Sequence, residues 1–223
     1  MRDFFMHKSI NNLNEIKKEI NSNNLNIQSK IKIIAVSKTF GIKDILPLID
    51  YGHFDFGENK IQEAVDKWSQ IKLTKKEIKL HMIGKLQSNK VKQAVNLFDY
   101  IHSLDSIKLA QKISTEQKKL NKKIKLFIQI NIGNEEQKSG IKIDDLPDFY
   151  HNCKNNLDLD IIGLMCLPPI NTDPSIYFSK MAVAAKDLSL KELSMGMSSD
   201  YLSAIKHNAS YIRIGSRIFG NRN

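Results

Sequence analysis

Along most of the chain, short apolar runs alternate with longer stretches whose apolar residues recur at helical spacing. Between residues 3 and 21, Phe4, Phe5, Ile10, Leu13, Ile16 and Ile20 follow a loose helical period, which the Asn-rich piece from Asn21 to Asn26 breaks. The short runs predict eight strands: Ile33 to Ser37, His53 to Phe56, Leu80 to Ile83, Tyr100 to Ser103, Lys125 to Ile132, Ile161 to Cys166, Glu192 to Met195 and Tyr211 to Ile214. Helices are predicted between them over 42–50, 58–71, 87–97, 106–119, 144–154, 175–187 and 198–207. Ser88, Asp105 and Ser199 read as helix caps, since short polar side chains accept from first-turn N–H groups. Pro147 suits a first turn, where its missing N–H costs nothing.

Strands that alternate with helices pair in parallel, because a parallel pair needs a crossover connection. Eight such units predict a closed (β/α)₈ TIM barrel, with an open doubly wound sheet as the alternative. No Pro/Gly-rich linker or shift in composition divides the chain. One domain over residues 1–223 is expected, with residues 1–25 forming an N-terminal helix and linker packed on the barrel.

Composition refines this picture only at the edges. The 223 residues suffice for a sizeable core in one domain. No apolar run approaches the roughly 18 residues of a membrane span, and MRDFFMHKSINN has no apolar secretory core. Cys153 and Cys166 form neither a metal-ligand spacing nor a disulfide framework, so the expected setting is a reducing cytoplasm. A net charge of +10 raises nucleic-acid binding as a class. The lysines are nevertheless spread among Asn and Ile, with no aromatic RNA-binding motif, zinc finger or Arg-rich block. The charge therefore reads as a solvated surface, and no specific nucleic-acid partner is expected.

In a barrel, chemistry sits where strands end. The last two ends, SMGMSSD (194–200) and RIGSRIFG (213–220), combine Gly with Ser and run into helix-like segments. Loops after strands 7 and 8 are the usual phosphate grip of barrel enzymes, so Ser198, Gly215 and Ser216 are candidate phosphate ligands; ordinary turn and cap roles are the alternative. KIKIIAVSKTFG ends its apolar run on Lys38, at the mouth of strand 1 and beside strand 8 in a closed ring. It is either a surface lysine or an amine held for chemistry. A desolvated amine near cations is nucleophilic toward an aldehyde. Amine plus phosphate grip suggests pyridoxal phosphate held as a Schiff base, or a phosphorylated sugar or aldol substrate.

The segments AVSKT, FGENKIQEA, HMIGKLQSNK, IHSLD, QINIGNEEQKSGI, GLMCLPP, LSMGMSSDY and YIRIGSRIFGNR occur in that order from about residue 30 onward. Together they resemble the YggS/PROSC family of pyridoxal phosphate homeostasis proteins, itself similar to the N-terminal barrel of bacterial alanine racemase. The resemblance implies that Lys38 is the Schiff-base lysine and that Asn59 lies beside the cofactor. It implies that Ser198, Gly215 and Ser216 bind the phosphate and that Arg213 faces the pyridine nitrogen. His81 and Met165 are further cofactor-binding candidates, His81 as a hydrogen-bonded barrel-facing residue and Met165 as soft packing around a flat ring or in the core.

Arginine keeps its proton, so facing Arg213 the pyridine nitrogen stays unprotonated and the ring is a poor electron sink. Alanine racemases also add a C-terminal β domain that supplies a catalytic tyrosine, and nothing marks Tyr51, Tyr100, Tyr177 or Tyr201 as its replacement. The resemblance therefore implies a carrier or regulator of pyridoxal phosphate supply, monomeric, serving apoenzymes that need the cofactor and affecting amino-acid and keto-acid balance, with no dedicated catalytic residues. A small racemase of the same fold type is the enzyme alternative. Two positions depart from the family pattern: Gln137, and Arg217, which either adds charge near the phosphate or points outward. Lys138 is a second amine near the mouth if its loop folds inward. His53, His81 and His102 fall on successive strands but at different depths, so no metal site is expected.

Overall fold

The computed structural model describes residues 7–23 and 31–220. Eight parallel strands, β1 (Lys32–Val36), β2 (Asp55–Glu58), β3 (Lys79–Met82), β4 (Tyr100–Leu104), β5 (Lys125–Ile130), β6 (Asp160–Cys166), β7 (Glu192–Ser194) and β8 (Tyr211–Ile214), close in sequence order into a barrel. Closure is made by β1 and β8, where Ile34 stands opposite Arg213. The open-sheet alternative is thereby excluded. Strands such as KIIAV are buried on nearly every residue because helices cover the outside and side chains fill the inside.

The helices are α1 (Lys8–Ser22), α2 (Ile42–Asp50), α3 (Ile61–Thr74), α4 (Val91–Leu97), α5 (Ile107–Leu120), α6 (Leu146–His151), α7 (Pro174–Asp187), α8 (Tyr201–Lys206) and α9 (Ser216–Phe219). Helix α1 packs against α2 and α9, burying Leu13, Ile16 and Ile20. Each such side chain taken from water contributes about 1.5–3 kcal/mol. Of the N-terminal pattern, Phe4, Phe5 and Asn24 to Asn26 lie outside the described residues.

Several boundaries move from their expected places. Strand β2 starts two residues later than the pattern suggested, since its register is set by β3, with Gly57 opposite His81. The segment 87–97 opens with a 3₁₀ turn (Ser88–Lys90), and 144–154 ends in a π turn (Asn152–Asn156). The caps fall one residue from Ser88, Asp105 and Ser199, on Gln87, Ser106 and Asp200; Ser106 accepts from Leu109 N at 3.4 Å. Helix α9, four residues long, is too short to carry a periodicity.

Inside the barrel sits a second apolar layer of Ile34, Tyr100, Phe127, Met165 and Tyr211, separate from the larger core between strands and helices. His81 stacks on Tyr100 and His102 on Phe127, each pair with ring centroids 4.3 Å apart. This layer is the floor on which the C-terminal mouth rests.

Candidate functional site

One wall of the mouth carries Lys38, in a turn just past β1 whose next residue, Thr39, has φ 69°. Ser37, immediately before it, donates to Glu58 Oε1 at 2.8 Å. The same oxygen accepts from Lys67 Nζ at 2.9 Å and from Trp68 Nε1 at 2.9 Å. Lys67 also donates to the Ser37 carbonyl at 2.8 Å and to Glu63, which in turn accepts from Thr39 N at 2.5 Å. Glu58 is fully buried, and its other oxygen has no hydrogen-bond partner among the described residues. A buried carboxylate and ammonium thus pin both sides of the Lys38 turn, and Glu58 itself precedes Asn59. Asn59 is held from the next strand: a Cβ on Gly84 would stand 2.4 Å from the Asn59 carbonyl oxygen, so only glycine permits that approach.

The opposite wall is the pair of loops after β7 and β8. Gly196 has φ +92°, and a Cβ there would meet the Ala204 methyl at 2.6 Å. Its turn is closed by Met197 N donating to Asp200 Oδ1 at 2.6 Å, which presents Ser198 to the cavity. Gly215 leads into Ser216, whose helix α9 begins with N–H groups that have no intrahelical acceptor. Stacked rings of Phe40 and Phe219, 4.8 Å apart, tie the Lys38 turn to α9.

Between the walls lies Arg213, only 5 % exposed. Its guanidinium donates to Ser194 Oγ at 2.7 Å and to the Cys166 carbonyl at 3.0 Å. Ser194 Oγ lies 2.8 Å from His102 Nδ1, His102 Nε2 lies 3.0 Å from His81 Nδ1, and His81 Nε2 lies 3.0 Å from Asp55 Oδ1. Arginine can only donate and a carboxylate can only accept, which fixes the direction of the whole chain. Arg213 donates to Ser194, Ser194 to His102, His102 to His81, and His81 to Asp55, with both histidines neutral. Burial lowers the pKa of both histidines, with the Arg213 charge adding for His102. Burial alone would raise Asp55, but the hydrogen bond from His81 outweighs it and holds the carboxyl low. Burial also pulls Arg213 below the usual arginine value.

Lys38, Asn59, Ser198, Arg213, Gly215 and Ser216 line one cavity of about 640 Å³, a size typical of small-molecule sites. His81 and Met165, expected beside the cofactor, do not line it. Met165 stands opposite Ser194, and Ser194 opposite Tyr211, two residues before Arg213 on β8. Both residues therefore belong to the layer beneath the cavity. His53 lies apart from the other two histidines, its Nε2 3.0 Å from the Asp55 carbonyl. Further lining comes from Phe40, Ile83, Leu167 and Met197, the last three just beyond the ends of β3, β6 and β7. Position after a strand end was the signal for them, but nothing in their apolar side chains set them apart from core. Cys166 is buried, its thiol pushed up to about 12 by burial. The loop of Lys138 does fold inward: Lys138 pairs with Glu135 at 2.6 Å and lines an adjoining cavity that shares Asn59, Ile83 and Leu167 with the first.

Closed parallel barrel, strand-end lysine and paired Gly/Ser loops define a barrel of the alanine racemase N-terminal class, and residues 11–223 match the family model described as alanine racemase, N-terminal domain. The solved alanine racemase of Clostridium difficile 630 shares this fold at 18% identity and TM-score 0.73, over 96% of this chain and 57% of that one. Nearer relatives narrow the class. A pyridoxal phosphate homeostasis protein of Haemophilus influenzae is 37% identical over 227 residues, covering 95% of each chain. The structure of PipY from Synechococcus elongatus PCC7942 matches with TM-score 0.86 and 30% identity without PLP, over 96% of this chain and all (100%) of that one. With PLP bound, the corresponding values for PipY are 0.80 and 31%, over 92% and 100%. This chain belongs to the pyridoxal phosphate homeostasis protein family.

Proposed function

We propose that this protein binds pyridoxal 5'-phosphate in the C-terminal mouth and serves the supply of that cofactor, influencing amino-acid and keto-acid balance, rather than a dedicated reaction. The observation that carries this reading is the convergence of one amine, one buried guanidinium and two Gly/Ser loops on a single cavity. The residues fit the cofactor's three recognisable groups. Lys38 offers the primary amine for the aldehyde. Ser198 and Ser216, with the backbone around Gly215, offer neutral donors for a phosphate dianion. Arg213, between them, offers N–H donors to the ring nitrogen, with Asn59 alongside.

When bound, pyridoxal phosphate supplies an electrophilic carbonyl and a conjugated ring that can take up negative charge. The chain's own residues favour the first property and suppress the second. Lys38 would hold the cofactor at its aldehyde carbon through its amine, the aldehyde oxygen leaving as water. Arg213 can donate to the ring nitrogen but cannot give up a proton to it, so the nitrogen keeps its lone pair and the ring stays a weak electron sink. The Ser194–His102–His81–Asp55 chain holds the guanidinium in place and fixes its donors' direction. Among the described residues that line the cavity there is no tyrosine, histidine or carboxylate to move a substrate proton. These features support a carrier without a dedicated catalytic residue, delivering to apoenzymes that require the cofactor. We infer further that the whole chain works as one unit, as a monomer, in the cytoplasm.

Absorbance spectra of wild type and Lys38→Ala with added pyridoxal phosphate test the reading. The expected result is a visible band in wild type that borohydride bleaches and the variant lacks. No band, or an equal band in the variant, overturns it. Rapid exchange of an amino acid's α-hydrogen by the loaded wild type would favour the racemase alternative instead.

A further inference from the structure

Arg217 is the residue after Ser216, yet its guanidinium turns away from the cavity toward the N-terminal helix. It donates to Glu19 of α1 through both terminal nitrogens, at 2.5 Å and 3.0 Å, and to the Tyr201 hydroxyl at 3.0 Å. Tyr201 in turn donates to Glu19 and lays its ring under the Arg217 guanidinium, 5.4 Å from centroid to carbon. Tyr201 is buried and begins α8, three residues after Ser198. The hydrogen bonds from Arg217 and Tyr201 hold the Glu19 carboxyl below its usual range, so it is charged at neutral pH. One carboxylate on α1 therefore grips the two loops of the phosphate wall at once, one through Tyr201 and one through Arg217. Asn12 of the same helix donates to the Ile218 carbonyl at 2.9 Å, fixing α9 at a second point.

We propose that Glu19, Tyr201 and Arg217 are positioning residues for the phosphate grip, and that the N-terminal helix tunes how tightly the barrel holds a phosphorylated ligand. The proposal rests on the reading that the cavity takes pyridoxal phosphate. None of the three touches the cavity, so their effect is transmitted through the spacing of Ser198 and Ser216. That geometry makes the effect specific to the phosphate. The amine wall is held by its own buried cluster of Glu58 and Lys67, and the Phe40–Phe219 stack is the one ring contact that joins it to α9 among the described residues.

Titration of pyridoxal phosphate and of pyridoxal, which lacks the phosphate, into wild type, Glu19→Gln and Arg217→Gln tests the latch. Expected is a rise of about five-fold in the dissociation constant for pyridoxal phosphate, at the lower end of typical coupling between sites, with faster release and no change for pyridoxal. The exchanged pair Glu19→Arg with Arg217→Glu should recover part of the loss, and Tyr201→Phe, which keeps the ring, should weaken binding in the same direction. Equal weakening toward both ligands would reduce the three residues to general stability, and unchanged binding of both would remove the latch. Lys38→Ala in the same assay keeps the two claims apart. If wild type binds and Lys38→Ala loses the borohydride-sensitive band while Glu19→Gln behaves as wild type, only the latch fails; if wild type itself shows no such band, the function reading fails first.

Discussion

The two walls of the mouth are held by opposite means. Behind Lys38 stand a carboxylate with no exposed side-chain surface, Glu58, and an ammonium 8 % exposed, Lys67, joined by Trp68 and Ser37. Behind Ser198 and Ser216 stands an ion pair whose partners are each 37 % exposed, Glu19 and Arg217. A buried pair is rigid because either partner alone would be a stranded charge. A half-exposed pair is screened by water and exchanges easily with it. Under the proposed function, the difference would suit a site that fixes an amine in one place and still lets a phosphate leave.

The comparison breaks first at Glu58. Replacing it by Ala leaves Lys67 buried without its main counter-charge, and urea unfolding should show a loss of about 3–5 kcal/mol. Gly196→Ala comes next, since it combines a left-handed backbone with the Ala204 contact. A loss of about 1–3 kcal/mol is expected, along with weaker pyridoxal phosphate binding in a spectroscopic titration. His102→Phe keeps the ring stacked on Phe127 but strands Ser194 and His81, which should cost about 1–3 kcal/mol in the same unfolding assay.

Acid offers a smaller perturbation. Burial lowers His81, His102 and His53, the last to about 4. The unfolded chain takes up protons on these rings below about pH 6.5 and the folded chain resists, so stability is complete above that pH and declines as pH falls toward the folded values. The urea midpoint should be lower at about pH 5 than at about pH 7, and His102→Phe should shrink that drop by removing one of the three groups. The smallest effect on stability is expected for Glu19→Gln, at most about 1 kcal/mol because water already screens the pair. A loss as large as that of Glu58→Ala would erase the contrast between the walls.

Much of the site could be read along the chain because barrel chemistry concentrates at strand ends. Lys38, Asn59, Ser198, Gly215 and Ser216 each follow a strand, and Arg213 lies near the end of β8. Depth was not legible along the chain. His81 and Met165 sit beneath the residues that line the cavity, because alternation tells which side of a strand a residue faces and not how far up the barrel it stands. Arg217 left two directions open from sequence; Glu19, nearly two hundred positions earlier, settles it by a contact that no local pattern encodes.

By itself the sequence determined the eight strand and helix periods, and with them a parallel barrel, since parallel strands admit few other connections. It also placed the candidate site residues near the C-terminal ends of those strands. Only the tertiary structure decided which of them share a cavity, which form the floor beneath it, and how each wall is braced. Those outcomes depend on closure of β1 on β8 and on ion pairs and hydrogen bonds between distant segments, whose energies exist only once the chain has folded back on itself.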